Sequence, residues 1–83
     1  MDGKLLNSKN KLSTPGSGTT VYIDYSPSKK VLEVEFAGGN IYHYFPVEPR
    51  IWEEYREIVE SGGSSGVYVN TKIKPRYEYL QIR

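Results

Sequence analysis

The sequence predicts a small α+β fold, in which an antiparallel sheet of about four strands packs against one amphipathic helix. Short stretches in which apolar and polar residues alternate, as in half-buried strands, occur three times before residue 46 and once more at 77–82. Between them, residues 50–60 repeat their apolar positions with the period of a helix. The predicted order of elements is β-β-β-α-(short α)-β.

The composition limits what the chain can be. Its 83 residues suffice for one small domain, and without cysteine neither a disulfide framework nor a thiolate metal site can form. Eight tyrosines and one tryptophan must therefore supply much of the packing. No continuous apolar stretch occurs near the N-terminus, so we expect a soluble cytoplasmic protein without a membrane partner.

The chain divides into a tail and a domain. Residues 1–17 are rich in Lys, Asn, Ser and Gly and contain few large apolar groups, which predicts a disordered basic tail. Residues 18–83 are predicted to form a single domain. Its first strand has Val21, Ile23 and Tyr25 on the buried face.

The second predicted strand, in residues 30–37, has one apolar and one polar face. Leu32, Val34 and Phe36 point to the core, and Glu33 and Glu35 point to solvent.

The third predicted strand, residues 41–45, follows the Gly38-Gly39 turn, and its register depends on the loop length. A two-residue loop would place Val34 opposite the only histidine, His43. A three-residue loop places Glu33 opposite His43 instead. We favour the three-residue loop because it separates polar from apolar side chains better, although it leaves Ile41 and Phe45 on the outer face.

The helix begins after Pro49, a residue that the first helical turn tolerates. Its apolar stripe consists of Ile51, Trp52, Tyr55, Ile58 and Val59. Because these residues share one face, we expect the helix to pack on the sheet with Trp52 in the core.

The segment 64–73 is ambiguous. Ser64 is a good helix cap, but Val67, Val69 and Ile73 are β-branched, so the segment is either a short helix or a strand. After Pro75 the alternation at 77–82 predicts a final strand.

Basic and aromatic residues near the C-terminus form a candidate nucleic-acid-binding surface, because cations bind phosphates and exposed rings stack on unpaired bases. The candidate residues are Lys72, Lys74, Arg76, Tyr77, Tyr79, Tyr42 and Tyr44. Two alternatives stay open. The three cations also fit an ordinary solvated stretch, and Tyr42 and Tyr44, two apart on one strand, either fill the core or form a stacking platform.

The motif from Leu32 to Tyr44, Leu-x-Val-x-Phe-x-x-Gly-x-x-Tyr-x-Tyr, is followed by Ser-Ser-Gly-Val-Tyr-Val-Asn at 64–70 and by Ile73-Lys74 and Tyr77. This pattern resembles the KTSC domain, which occurs at the C-terminus of some lysyl-tRNA synthetases and as small bacterial and phage proteins. The resemblance covers about residues 19–82. It implies the same small fold and contact with RNA, either tRNA or a single strand.

Catalysis is not expected, because the chain offers one histidine, no cysteine and no recognised phosphate loop. Glu33, Glu35 and His43 form the best metal-ligand set, but a Glu–His pair across two strands is a common surface contact, so no metal or cofactor is predicted. We therefore expect a monomeric, non-catalytic binding module that contacts RNA. The alternative is a protein-interaction or self-association module that uses Phe45, Ile41 and Tyr22, or an unpaired edge strand.

Overall fold

The computed structural model describes residues 5–83, in which five strands form one antiparallel sheet in the order β1-β2-β3-β4-β5. The strands are β1 (Leu12–Ser13), β2 (Thr20–Ser26), β3 (Val31–Phe36), β4 (Ile41–Phe45) and β5 (Glu78–Gln81). The helices are α1 (Pro49–Glu60) and α2 (Ser65–Tyr68), and a π-helical turn (Val69–Ile73) follows α2 directly. The predicted α+β class and order of elements are confirmed, with one strand more than expected.

The additional strand, β1, lies in the segment for which the sequence predicts a disordered tail. Leu12 is opposite Ile23 of β2 and packs against the core. Thr14 is buried, and its hydroxyl lies 2.7 Å from that of Thr20. The segment contacts the sheet largely through backbone and hydroxyl groups. The prediction of disorder is based on the small number of apolar residues, which does not take such contacts into account.

The β3–β4 hairpin has the favoured register. Glu33 is opposite His43, and a three-residue loop joins the strands, closed by the hydrogen bond from Phe36 N to Asn40 O at 2.8 Å. Gly38 and Gly39 have φ angles of 101° and 99°, a region that side chains with a Cβ avoid. The loop therefore requires both glycines.

Strand β2 departs from the predicted alternation at Val21. Ile23 and Tyr25 are buried as expected, whereas Val21 is 46% exposed. The register against β3 shifts between Thr20 and Tyr22, which indicates a β-bulge. Val21 is the extra residue of this bulge and has no partner on β3, so its side chain does not follow the alternation of the strand. The prediction for Val21 is wrong for this reason.

Helix α1 packs on the sheet through Trp52, which is 3% exposed. The Trp52 ring stacks on Tyr25 of β2, with centroids 5.3 Å apart and planes 10° apart. The Tyr25 hydroxyl donates to Val47 O at 2.6 Å, which ties the sheet to the chain just before the helix. The predicted core position of Trp52 is confirmed.

The ambiguous segment 64–73 is helical. Ser64 caps α2 by accepting a hydrogen bond from Val67 N. The buried side chains of Val69 and Ile73 lie in the π-helical turn, so β-branching here does not produce a strand. The chain then enters β5, which lies beside β4 at the edge of the sheet.

Residues 5–11, which we call the N-terminal strap, cover the part of the outer face that β2 and β3 form, opposite α1. Leu6 N donates to Glu33 Oε1 at 2.9 Å, and Ser8 N donates to Asp24 Oδ2 at 2.8 Å. Both carboxylate residues have 0% exposure. The expectation that Glu33 points to solvent is therefore wrong, since the strap covers it.

Candidate nucleic-acid interface

Four aromatic side chains line a cleft of about 430 Å³ on the helix-bearing side of the sheet, next to β5. Phe36 ends β3, Tyr42 and Tyr44 alternate along β4, and Tyr79 lies on β5 opposite Tyr44. Side chains that alternate along a strand share a face, so the register of three neighbouring strands brings these rings together. The cleft, which we call the aromatic cleft, is lined by Phe36, Asn40, Tyr42, Tyr44, Lys74 and Tyr79.

Tyr42 is the central ring of the aromatic cleft. Its centroid is 5.8 Å from Phe36, 6.2 Å from Tyr44 and 5.7 Å from Tyr79. These spacings lie in the range of stabilising aromatic pairs. The rings therefore hold one another in place and form a preorganised apolar surface.

The tyrosine hydroxyls separate into two groups. Five of the eight tyrosines donate to an acceptor in the protein, and these are Tyr22, Tyr25, Tyr55, Tyr68 and Tyr77. The hydroxyls of Tyr42, Tyr44 and Tyr79 make no hydrogen bond to any residue in 5–83. The hydroxyls of Tyr42 and Tyr44 are not buried away from solvent, and Tyr79 is 65% exposed, so the cleft is a surface open to water or to a ligand.

The three tyrosines of the cleft differ in how far they are exposed to solvent. Tyr44 is 3% exposed, Tyr42 is half-buried and Tyr79 is 65% exposed. Burial, with smaller contributions from the phenols of Tyr42 and Tyr79, raises the pKa of Tyr44 to about 12. The Tyr44 hydroxyl is therefore a hydrogen-bond donor at neutral pH. The sequence leaves open whether Tyr42 and Tyr44 fill the core or form a stacking platform. Both interpretations apply to Tyr44, because it belongs to the core and also lines the cleft.

Lys74 and Asn40 add polar groups to the aromatic cleft. The Lys74 ammonium lies 4.9 Å from the centroid of the Phe36 ring, a cation–π distance. Asn40 is exposed, and its carboxamide makes no hydrogen bond to residues 5–83. The cleft thus combines stacking surfaces with one cation and one amide.

The other candidate residues lie outside the lining of the cleft. Lys72, in the π-helical turn, and Arg76, in the turn that follows, are exposed. Tyr77 is half-buried, and its hydroxyl donates to Glu48 Oε1 at 2.7 Å. Of the seven residues predicted from the sequence, the structure places Tyr42, Tyr44, Lys74 and Tyr79 in one cleft.

The metal-ligand set weighed from the sequence is not assembled. His43 Nε2 lies 2.7 Å from Glu33 Oε1, and the Tyr22 hydroxyl donates to Glu33 Oε2 at 2.6 Å. Within residues 5–83, no three His, Cys, Asp or Glu side chains are grouped so as to hold a metal ion. The same residues contain no helix long and apolar enough to cross a membrane.

The alternative apolar contact surface is also largely covered. Ile41 is 1% exposed and Tyr22 is 7% exposed, so neither offers a contact to another chain in this conformation. Phe45 is half-buried, and Leu80 of β5, which lies opposite His43 on the outer face of the sheet, is 56% exposed. The edge strand is therefore the part of the interaction hypothesis that the structure leaves accessible.

Two cleft residues are missing from the sequence prediction. Phe36 continues the alternation of Leu32 and Val34, and this pattern indicates the core and gives no sign of a cleft. Asn40 follows two glycines and is typical of a turn. In the pairing of β3 with β4, Phe36 and Asn40 lie opposite each other, next to the loop. The favoured register, extended by one residue pair, therefore predicts that these two residues are neighbours.

Fold and site together define a small α+β domain with an open aromatic cleft beside its edge strand. The chain belongs to the KTSC family, because the model of the KTSC domain matches residues 17–77. A crystal structure of a KTSC domain protein from Yersinia pestis has the same fold, with a TM-score of 0.68 and 24% identity over 88% of this chain and 96% of that one.

Three relatives extend the comparison. A protein from Tsukamurella paurometabola is 32% identical over 58 residues, which are 70% of this chain and 81% of that protein. A protein from Stutzerimonas stutzeri is 34% identical over 61 residues, 72% of this chain and 80% of its own length. A lysine–tRNA ligase from a Nostoc species is 34% identical over 58 residues, 70% of this chain, but the match spans 10% of the ligase.

Proposed function

We propose that this domain is a non-catalytic binding module that contacts RNA. The contact uses the aromatic cleft, which includes Lys74, and the neighbouring basic residues Lys72 and Arg76. One observation carries the proposal: the three tyrosines without hydroxyl partners among residues 5–83 share a cleft with a lysine. Nucleic acid supplies both the flat apolar base and the anionic phosphate that such a cleft fits.

The chemistry of the cleft favours an anionic aromatic ligand. Stacking one base on an aromatic side chain contributes about 1–3 kcal/mol, and Tyr79 offers an exposed face for it. An aromatic cage can instead bind a quaternary ammonium, but the Lys74 ammonium already lies over Phe36 and would repel a second cation.

Charge on helix α1 limits where RNA can approach the domain. Its exposed carboxylates, at Glu53, Glu54, Glu57 and Glu60, repel phosphate from the surface of the helix, whereas the cations Lys72, Lys74 and Arg76 attract it. The similar segment in the Nostoc lysine–tRNA ligase supports a role near RNA, because that enzyme acts on tRNA by name.

Fluorescence anisotropy of labelled single-stranded RNA and of tRNA tests the proposal at about 50 and about 200 mM salt. Binding is expected to weaken as salt rises. Tyr79→Ala should lower the affinity roughly tenfold by loss of one stacking partner. Leu80→Ala is the matched control, because Leu80 is the next residue on β5, is similarly exposed and points to the other face.

The charge contribution has its own matched pair. Lys74→Gln should weaken RNA binding and lower the dependence of the affinity on salt by about one phosphate contact. Lys29→Gln removes another exposed cation, which lies outside the cleft, and should change neither quantity. Absence of binding to both RNAs at the lower salt concentration would refute the proposal.

A protein-interaction module is the second candidate, and the edge strand β5 favours it. All four residues of β5 are exposed, and its outer edge has no strand partner among residues 5–83. Such an edge can pair with an extended segment of another chain. Light scattering that shows concentration-dependent association, insensitive to salt and reduced by Leu80→Lys, would support this candidate over RNA binding.

A further inference from the structure

We infer that the aromatic cleft holds one unpaired purine nucleotide, with the base on the tyrosines, the Asn40 carboxamide on the base edge and the phosphate on Lys74. This inference rests on the proposed function and specifies its ligand. It assigns to Asn40 the choice of base, and to the rings an affinity that does not depend on the base.

The size and depth of the cleft select a single unpaired base. Its volume of about 430 Å³ lies in the range of small-molecule sites. Tyr44, at 3% exposure, can be reached only by a group that enters the cleft. A base inside a duplex is stacked on both faces and cannot enter, whereas a base in a single strand can be splayed out.

The rings of the cleft accept a purine, and the edge of the base distinguishes a purine from a pyrimidine. The centroids of Tyr42, Tyr44 and Tyr79 form a triangle with sides of 6.2, 5.7 and 6.4 Å. Stacking on such rings tolerates any base, because every base has a π-face. A purine, however, presents the acceptor N7 on its outer edge, which a pyrimidine lacks.

Asn40 is placed to read that edge. The hydrogen bond from Phe36 N to Asn40 O fixes the backbone of Asn40 at the mouth of the hairpin. Its carboxamide, without a partner in residues 5–83, offers one acceptor and two donors. An asparagine can bind N6 and N7 of adenine at the same time, and its amide nitrogen can donate to N7 or O6 of guanine.

Competition anisotropy tests the inference with a short uridine oligomer and with the same oligomer carrying one central adenosine or guanosine. The purine-containing oligomers are expected to bind about five- to tenfold more tightly. A second purine placed next to the first should add little, because one cleft holds one base.

Asn40→Ala should reduce the preference to about onefold while leaving the affinity for the uridine oligomer unchanged. Asn40→Asp keeps the acceptor but loses the donors, and it should abolish the preference for guanosine. Equal binding of all oligomers by the unmodified protein, or a preference that survives Asn40→Ala, would overturn the inference and leave the proposed function intact. No binding of any oligomer would instead refute the proposed function.

Discussion

Glu33 and His43 face each other across β3 and β4 beneath the N-terminal strap, with His43 Nε2 2.7 Å from Glu33 Oε1. The same carboxylate also accepts hydrogen bonds from Leu6 N and from the Tyr22 hydroxyl. Three donors therefore converge on one buried residue, which joins the strap to three strands of the sheet.

Glu33→Ala should lower the free energy of unfolding by about 2–3 kcal/mol, because it leaves buried donors without an acceptor. Urea denaturation followed by circular dichroism measures the change. Glu35→Ala is the control: Glu35 lies two residues away on the same face, is half-buried and accepts no side-chain hydrogen bond from residues 5–83. A loss no larger than that of the control would contradict the buried network.

Stability should also depend on pH through Glu33. Burial raises its pKa, but the hydrogen bonds from His43, Tyr22 and Leu6 outweigh burial and hold the pKa below its ordinary value of 4.5. The folded state then binds the proton less tightly than the unfolded state. The contribution of Glu33 is therefore complete above pH 4.5 and is lost as the pH falls through the lower folded-state value.

The difference between the unmodified protein and Glu33→Gln isolates this effect. The glutamine cannot titrate, so its free energy of unfolding should fall less steeply than that of the unmodified protein when the pH is lowered below about 4.5. Denaturation at neutral and acidic pH gives both slopes. Identical slopes would show that the carboxylate does not titrate in the way its contacts indicate.

The contacts of the N-terminal strap predict that its backbone is ordered in solution. The amides of Leu6 and Ser8 donate to buried carboxylates, so their hydrogen exchange should be slower than in an unstructured peptide. Asp24→Asn should speed the exchange of Ser8 more than that of Leu6, which bonds to a different carboxylate. Exchange of both amides at the rate of a free peptide would support the disordered tail predicted from the sequence.

Local patterns predict the middle of this fold well. The alternation of Leu32, Val34 and Phe36, and the helical stripe around Trp52, specify which face is buried without knowledge of the neighbours. The hairpin register also follows from local chemistry, since two glycines and the separation of Glu33 from the apolar residues suffice.

The strap and the bulge could not be predicted in this way. Ser8 is held by Asp24, sixteen residues away in sequence, through backbone and hydroxyl groups that leave no hydrophobic pattern. Val21 changes face because the pairing of β2 with β3 shifts, and a single strand cannot reveal that shift. The aromatic cleft is formed by residues of three strands. The sequence can suggest some of these residues as candidates, but their proximity follows only from the pairing of the strands.

Tyr77 and Tyr79 test whether RNA binding depends on the tyrosine hydroxyls that have no partner among residues 5–83. The Tyr77 hydroxyl has a partner there and the Tyr79 hydroxyl has none. The Tyr77 hydroxyl donates to Glu48 and thereby lowers the pKa of that carboxyl, with smaller effects from the Glu48 backbone, Arg50 and Lys30. Tyr77→Phe should raise the Glu48 pKa toward 4.5, as measured by carboxyl carbon NMR. The affinity for RNA should stay unchanged, because this hydroxyl is already engaged within the protein.

Tyr79→Phe removes a hydroxyl that has no partner among residues 5–83 and keeps the ring. The affinity for single-stranded RNA should therefore fall about two- to tenfold, the effect of one lost hydrogen bond, while Tyr79→Ala should lower it further by removing the stacking face. Both phenylalanine variants retain the aromatic packing, so a change in folding does not confuse the comparison. Equal loss of affinity in Tyr77→Phe and Tyr79→Phe would mean that RNA contacts both tyrosines and that the binding surface extends beyond the aromatic cleft.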